Sequence, residues 1–511
     1  MSNHFTQTLN AKVDEFAEEL IADSQRIIQF VTVSGGSLAE ETKLQEELPK
    51  CFAWLRNKAK EFGFAYREFE GRVGEISWDH QDDSAPLVII AGHIDVVTPG
   101  SGWLHDPFAG EIHDNEIWGR GTQDDKGPTV QALYAMRALK AAGVELPYSL
   151  RLVIGSQEET GNWDDLAMYI SQARTPDFGF TPDANFPVIN GEKGNIALRL
   201  NAEWAEAGKD AETGMEFVSL IGGERRNMVP AHCEIALRFN KEERNDVMKE
   251  LVRTTTSFVV EHDQANVTLQ PDKQKDLGEG RFEAVVSFLG KSAHSSTPED
   301  GGHNAIVDAL DFLKDVETMP FAVRRFAALA HLFGQDLSGA AFGVDAVHPV
   351  VGETTCCLVL SDVRSTGGRA LFNIRPTLGS SLESVLARSQ KIVEAYNAEM
   401  PELKLSVEKV GEGMEAQFLD PQNPTLEPYL EALRESITAV TGTKGEYNSV
   451  GGTTYAKALP NTCAFGPTFP DEANRIHQVD ERVPVASVIR NAKIFASALY
   501  LMKENLEAQK S

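Results

Sequence analysis

LVIIAGHIDVV, residues 87–97, opens on an unbroken aliphatic run and ends in a histidine and an aspartate two positions apart. A run that is apolar at every position, not at alternate ones, marks a strand buried on both faces, as in a parallel sheet covered by helices. A second such run, Leu150 to Ile154, ends at Gly155. Between the two, Gly127 to Ala142 predicts a helix, with Pro128 in its first turn, Val130, Leu133, Ala138 and Leu139 on its apolar side, and Gly143 as its stop. Strand, helix, strand implies a parallel sheet, so this part of the chain is α/β. His93 and Asp95 then fall at the carboxyl edge of the sheet, where open α/β folds place their sites.

Working outward, helical periodicity from Ala11 to Phe30 (Val13, Phe16, Leu20, Ile27, Phe30) predicts one amphipathic helix. Asn162 reads as the cap of another, with Asp164 and Asp165 in its first turn. Beyond about residue 193 the texture changes to alternating or aromatic-rich strands (Ile196 to Trp204, Phe282 to Leu289, Leu358 to Val363, Ala370 to Ile374) with a helix at Glu243 to Val260. This pattern suggests an α+β sheet with helices on one face. From about Asn423 helices and short apolar runs return, ending in a helix from Pro484. We therefore expect an α/β domain in two parts, residues 1–192 and 416–511, interrupted by an α+β domain at 193–415; 511 residues suit two domains, with three possible.

Asp and Glu total 76 against 48 Lys and Arg, a formal charge of −28 that argues against duplex nucleic acid or an anionic membrane as partner. The five cysteines (Cys51, Cys233, Cys356, Cys357 and Cys463) lack CxxC spacing, and the adjacent pair would strain to bond with itself. They read as reduced. The N-terminal twenty residues carry carboxylates where a signal peptide needs an apolar core, and we find no run of about 18 apolar residues. The expectation is a cytoplasmic protein.

Five clusters carry chemistry. His93 can bind a metal through a neutral imidazole while Asp95 holds its other ring nitrogen; alone, such a pair is more often a structural histidine. GRGTQDDKGP places Asp124 and Asp125 side by side before the predicted helix, as a metal site or as a solvated loop or cap. GSQEETGNWDD puts Glu158 and Glu159 just after the second strand: one glutamate can bind metal while its neighbour moves a proton, or both belong to a surface charge run. TPDANFPV contributes Asp183, and NRIHQVDERVP contributes His477. Together, two histidines, three ligating carboxylates and a spare glutamate suit two borderline divalent ions sharing one carboxylate. Such a pair favours hydrolysis: one ion would polarise a carbonyl, both would acidify a shared water, and Glu158 would carry the proton.

In order along nearly the whole chain, GHIDVV, GWLHDPF to GRGTQDDKGP, QEETG, TPDANFP, NMVP, GKSAHSS, GGTTYAKA and IHQVDE resemble the M20 family of dizinc aminoacylases, carboxypeptidases and dipeptidases, and most closely its dipeptidase V branch. The resemblance implies a zinc-exopeptidase-like α/β catalytic domain with an inserted, enlarged ferredoxin-like α+β lid. It implies His93 and Asp183 on one metal, Glu159 and His477 on the other, Asp124 bridging, Asp95 orienting His93, Glu158 as general base, and a cis Asp124–Asp125 peptide. In the lid it implies His294 as oxyanion stabiliser, Asn227 and Arg375 as holders of the substrate carboxylate, and Gly451 and Gly452 as contacts to substrate backbone. Zinc is the implied metal, with manganese or cobalt also suited to such ligands. The implied activity is hydrolysis of dipeptides or similarly short peptides; an N-acyl amino acid deacylase and a catalytically silent peptide-binding protein are the alternatives. The enlarged lid implies a monomer, with a homodimer as the other state. The segments Glu203 to Glu216 and Val323 to Val351 are long for the branch.

Overall fold

The computed structural model describes residues 2–205, 215–262, 264–269, 275–276, 280–299, 301–316 and 318–510. The chain forms two compact units, one of Met1–Gly191, Phe418–Ser449 and Thr453–Ser511, the other of Glu192–Gln417 and Val450–Gly452.

In the first unit the aliphatic runs form the sheet interior. Across it the strands run Ala65–Phe69, Val73–Trp78, Ser149–Gly155, Leu87–His93, Phe178–Thr181, Thr462–Phe465 and Val188–Glu192. The four from Ser149–Gly155 to Thr462–Phe465 are parallel and their flanks antiparallel. Every residue of Leu87–His93 is buried, as its composition requires. Lys126–Ala141 is the crossover helix, and a Cβ on Gly92 would collide with Thr129 of that helix. Glycine at 92 is what lets the helix start press against the strand carrying His93.

Two local expectations are corrected. The single N-terminal helix is two, Ser2–Glu15 and Ala17–Ile28, parted at Phe16 (φ −98°, ψ 4°). Both pack on the C-terminal helix Val485–Lys510 and on Lys126–Ala141, the first mainly on the former and the second mainly on the latter, so the apolar stripe continues while the main neighbour changes. The cap before Asp164–Gln172 is Trp163, left-handed at φ 52°, without a side-chain capping bond; Asn162 does not cap it. Its indole instead donates to the Glu158 carbonyl at 3.0 Å.

Val485–Lys510 is the most apolar long helix of the described residues. It is long and apolar enough by composition to cross a membrane, yet 72% of its apolar window is buried among the other helices and the sheet, which makes it a core helix. The five cysteines are free and buried. Cys356 and Cys357 enter different apolar clusters, as neighbours on a strand must.

The second unit is α+β. Its antiparallel strands follow the order Asn266–Leu269, Arg281–Leu289, His232–Asn240, Glu216–Gly222, Thr355–Arg364, Gly367–Arg375, Ile196–Glu203 and Ser406–Lys409. Alternation of buried residues with half-buried or exposed ones in Ile196–Glu203 reflects one face turned to the apolar core. The helices Ala305–Asp315, Phe321–Gln335 and Leu382–Glu399 supply core residues such as Leu310, Phe326 and Val393. Of the two long segments, 206–214 lies outside the described residues, whereas Val323–Val351 holds most of Phe321–Gln335 and one strand of a short hairpin.

Candidate metal centre

Three parallel strands deliver their next residues to one edge of the first unit. His93 ends Leu87–His93, Glu158 and Glu159 follow Ser149–Gly155, and Asp183 follows Phe178–Thr181. Asp124 comes from the loop before the crossover helix, and His477 from the loop before Val485–Lys510.

Asp124 is the pivot of two donor groups, His93 with Asp183 and Glu159 with His477. Its Oδ1 lies 3.0 Å from His93 Nε2, and its Oδ2 lies 3.1 Å from His477 Nε2. His477 Nε2 is 3.0 Å from Glu159 Oε2, and His93 Nε2 is 3.8 Å from Asp183 Oδ2. Donors about 2.0–2.2 Å from a tetrahedral ion stand roughly 3.3 Å apart, so the spacings fit ligand-to-ligand edges. His93 Nε2 and Asp124 Oδ1 are buried and close, yet not aligned as a hydrogen bond, and neither has another partner among the described residues. Buried polar atoms left in that way are what a shared cation would satisfy. The donor set therefore fits a pair of divalent ions.

Charges in the group are strongly interdependent. Burial, then the charge of Asp124, pushes Asp183 up to about 7. Burial and the nearby Asp183 hold Glu158 well above the usual carboxylate range. Burial works against ionised Asp124, but contacts to His477 and His93 outweigh it and keep the carboxyl far below its ordinary value. For the histidines burial favours the neutral ring, yet Asp124 and Asp183 raise His93 well above its usual value, while Glu159 and Asp124 raise His477 to about 11.

Backbone amides fix the loops. The nearest acceptor for His93 Nδ1 is the Asp95 carbonyl at 2.9 Å, with the Asp95 carboxylate at 3.4 Å. That carboxylate also accepts from the amides of Glu158 and Glu159 at 3.2 and 3.1 Å and from Ser34 Oγ at 2.8 Å. Asp165 accepts from the amides of Ser156 and Gln157 at 2.7 and 3.0 Å and from Tyr455 Oη at 2.6 Å. Glu481, fully buried, pairs with Arg120 at 2.5 Å and accepts from the amides of Gly121 and Gln123. Sequence reading missed Asp165, Tyr455, Arg120 and Glu481 as parts of the site. All four lie inside quoted motifs, and the one sequence signal for Arg120 was its place between two glycines, Gly119 and Gly121. The Asp124–Asp125 peptide is cis, as the resemblance implied, and His477 sits at φ 62°. A non-glycine residue there costs about 1–2 kcal/mol.

The remaining candidates gather in the second unit. The Asn227 carbonyl accepts from the Ser295 amide at 2.9 Å. His294 Nδ1 accepts from the Ser296 amide at 3.2 Å and lies 2.6 Å from Ser296 Oγ, which leaves the proton of a neutral ring on Nε2. A Cβ on Gly451 would stand 2.8 Å from Ser296 Cβ, whereas Gly452 faces open space. Arg375, buried, donates to the Gly451 carbonyl at 3.2 Å and to Asn373 at 2.9 Å. Burial lowers its guanidinium to about 10.

The class of protein comes from the family comparison: the model of peptidase family M20/M25/M40 matches residues 89–501. The chain belongs to this peptidase family. It is 29% identical over 487 residues to the Bacillus subtilis protein named "Putative dipeptidase YtjP", covering 94% of this chain and 97% of that one. A Staphylococcus haemolyticus protein, SH1171, carries the same description and is 29% identical over 492 residues, 96% of this chain and 98% of its own. Among solved structures, the dipeptidase Dug1p of Saccharomyces cerevisiae shares the fold with a TM-score of 0.58 at 16% identity, over 99% of both chains. Human carnosine dipeptidase 1 does so at 0.56 and 15%, over 98% and 99%.

The charge balance predicts proton release on metal binding. Without cations both imidazoles hold protons past neutrality and Asp183 is half-protonated near pH 7, whereas ligands must be deprotonated. The metal-free site thus binds more protons, and affinity rises with pH. Calorimetric titration of metal-stripped protein in buffers of different ionisation enthalpy should show release of about two to three protons per chain at pH 7; no release, with affinity flat from about pH 6 to 8, would contradict this charge balance.

Proposed function

We propose that this chain hydrolyses the amide bond of dipeptides or similarly short peptides. Its proposed ligands are His93 and Asp183 for one divalent cation, Glu159 and His477 for another, and Asp124 between them, with zinc first and manganese or cobalt as alternatives. Bound there, the cations supply Lewis acidity toward the scissile carbonyl and toward water.

The observation that carries this reading is Glu158. Its amide is tied to Asp95 and its carbonyl to Trp163, yet its carboxylate has no hydrogen-bond partner among the described residues while lying next in sequence to Glu159. A half-buried carboxylate with a raised pKa and no structural commitment is suited to take a proton from the attacking water and give it to the leaving nitrogen. In the second unit, His294 offers Nε2–H for the carbonyl oxygen as it gains charge, and Arg375 with Asn227 offers a cation and an amide for a substrate carboxylate. The backbone at Gly451 and Gly452 is proposed to contact the peptide. The names of the Bacillus and Staphylococcus relatives support dipeptides as substrate. We also infer a monomer working in the cytoplasm on short peptides, without nucleic acid or membrane; five reduced, buried cysteines accord with that setting.

Metal-stripped protein reconstituted separately with zinc, manganese and cobalt, and assayed on dipeptides, tripeptides and N-acyl amino acids, should be most active on dipeptides. Activity confined to N-acyl amino acids would replace the peptidase assignment by a deacylase one. Glu158→Gln should leave metal content nearly unchanged and lower turnover at least about 10²-fold; turnover close to the unmodified enzyme would remove Glu158 from the reaction.

A further inference from the structure

We propose, resting on the two-cation reading above, that Gln123 is a positioning residue for His477. Its side-chain amide fixes the loop that carries this ligand, and so sets the affinity of the cation proposed for Glu159 and His477 without altering that of the cation proposed for His93 and Asp183.

His477 is the proposed ligand most in need of such support. It is the one exposed residue of the five, and it lies in the stretch between the strands Pro467–Thr468 and Arg482–Pro484, which holds neither helix nor strand. Its own backbone sits at φ 62°, a conformation that a residue with a Cβ keeps only where its surroundings impose it. Bonds within the loop give local shape: the Ile476 amide donates to Asn474 Oδ1 at 3.1 Å, and the Gln478 amide to the Arg475 carbonyl at 3.0 Å. Among the described residues, the hydrogen bonds that reach Ala473 to Gln478 from elsewhere in the chain, contacts of the His477 ring apart, come from Gln123.

Gln123 supplies two of them. Its Nε2 donates to the Ala473 carbonyl at 3.0 Å, and its Oε1 accepts from the Arg475 amide at 2.8 Å. A carbonyl and an amide two residues apart are the pair that the peptide unit of a neighbouring strand binds, and a carboxamide brings the same donor and acceptor in one group. A glutamate at 123 would match the Arg475 amide but meet the Ala473 carbonyl with a second acceptor. Gln123 is itself held firmly: it is 2% exposed, and its backbone amide donates to Glu481 at 2.9 Å. It also directly precedes Asp124. The loop that carries one proposed ligand therefore holds the loop that carries another, with Asp124 Oδ2 and His477 Nε2 3.1 Å apart. A ligand ordered before the cation arrives leaves less ordering cost to binding, which is how hydrogen bonds behind a ligand raise affinity.

Titration of metal-stripped protein with Mn²⁺, read by calorimetry and paramagnetic resonance, tests this. The unmodified protein should take up about two ions and show an exchange-coupled spectrum once both are bound. Gln123→Met keeps the length of the side chain and removes both hydrogen bonds. It should bind one ion unchanged and the other about 10–100-fold more weakly, with isolated-ion spectra until excess Mn²⁺ restores the coupling. His477→Asn should lose the same ion. The His477→Asn/Gln123→Met double variant should bind its remaining ion as His477→Asn does, because a residue acting through His477 then has nothing to act on. Retention of that ion shows that the variants fold. The same two affinities in Gln123→Met as in the unmodified protein would overturn this role and leave the Asp124 group standing. Loss of both ions in Gln123→Met, or a further loss when it is added to His477→Asn, would overturn a role exercised through His477. A single ion in the unmodified protein would remove the two-cation reading and this role with it.

Discussion

Carboxylates held close together out of water repel one another, and that constraint shapes the first unit. Asp124, Asp183, Glu158 and Glu159 are crowded against His93 and His477 at one sheet edge, with Asp124 facing a different imidazole through each oxygen. Such a group is tolerable with protons, which is how raised histidines and Asp183 present it, or with cations. The two states exchange protons for metal, and a site poised in that way is a natural place for hydrolytic chemistry.

Further carboxylates hold the loops in place. Asp95 binds the amides of Glu158 and Glu159, Asp165 those of Ser156 and Gln157, and Glu481 those of Gly121 and Gln123. Amides at the end of a parallel strand have lost their ladder partners, and a buried carboxylate replaces several at once. Asp95 thereby connects His93 to the turn bearing the proposed proton carrier, and Tyr455, edge-on to the His93 ring with centroids 6.0 Å apart, connects it to Asp165. Displacing Asp95 would move Glu158 and Glu159 together, and displacing Glu481 would move the loop that carries Asp124.

What was legible in the sequence follows from range. Strands buried on both faces announce themselves by unbroken aliphatic composition, and the carboxyl-edge rule then places His93, Glu158 and Glu159 without coordinates. Local pattern could not show the break at Phe16, because Phe16 keeps to the apolar stripe while the main neighbour changes from one helix to the next. Asp165 looked like a first-turn partner of the helix dipole, yet its carboxylate reaches back to Ser156 and across to Tyr455, 290 residues on. Arg120 and Glu481 are 361 residues apart, and nothing in either neighbourhood marks one as the partner of the other.

Anomalous diffraction from crystals of the metal-loaded protein, recorded at the absorption edge of the added metal, tests the central claim most directly. Two peaks about 3.5–4 Å apart, one on each side of the Asp124 carboxylate, are expected, with the Glu158 carboxylate bound to neither. A single peak, or two peaks with Asp124 contacting no ion in a fully loaded crystal, would contradict the account.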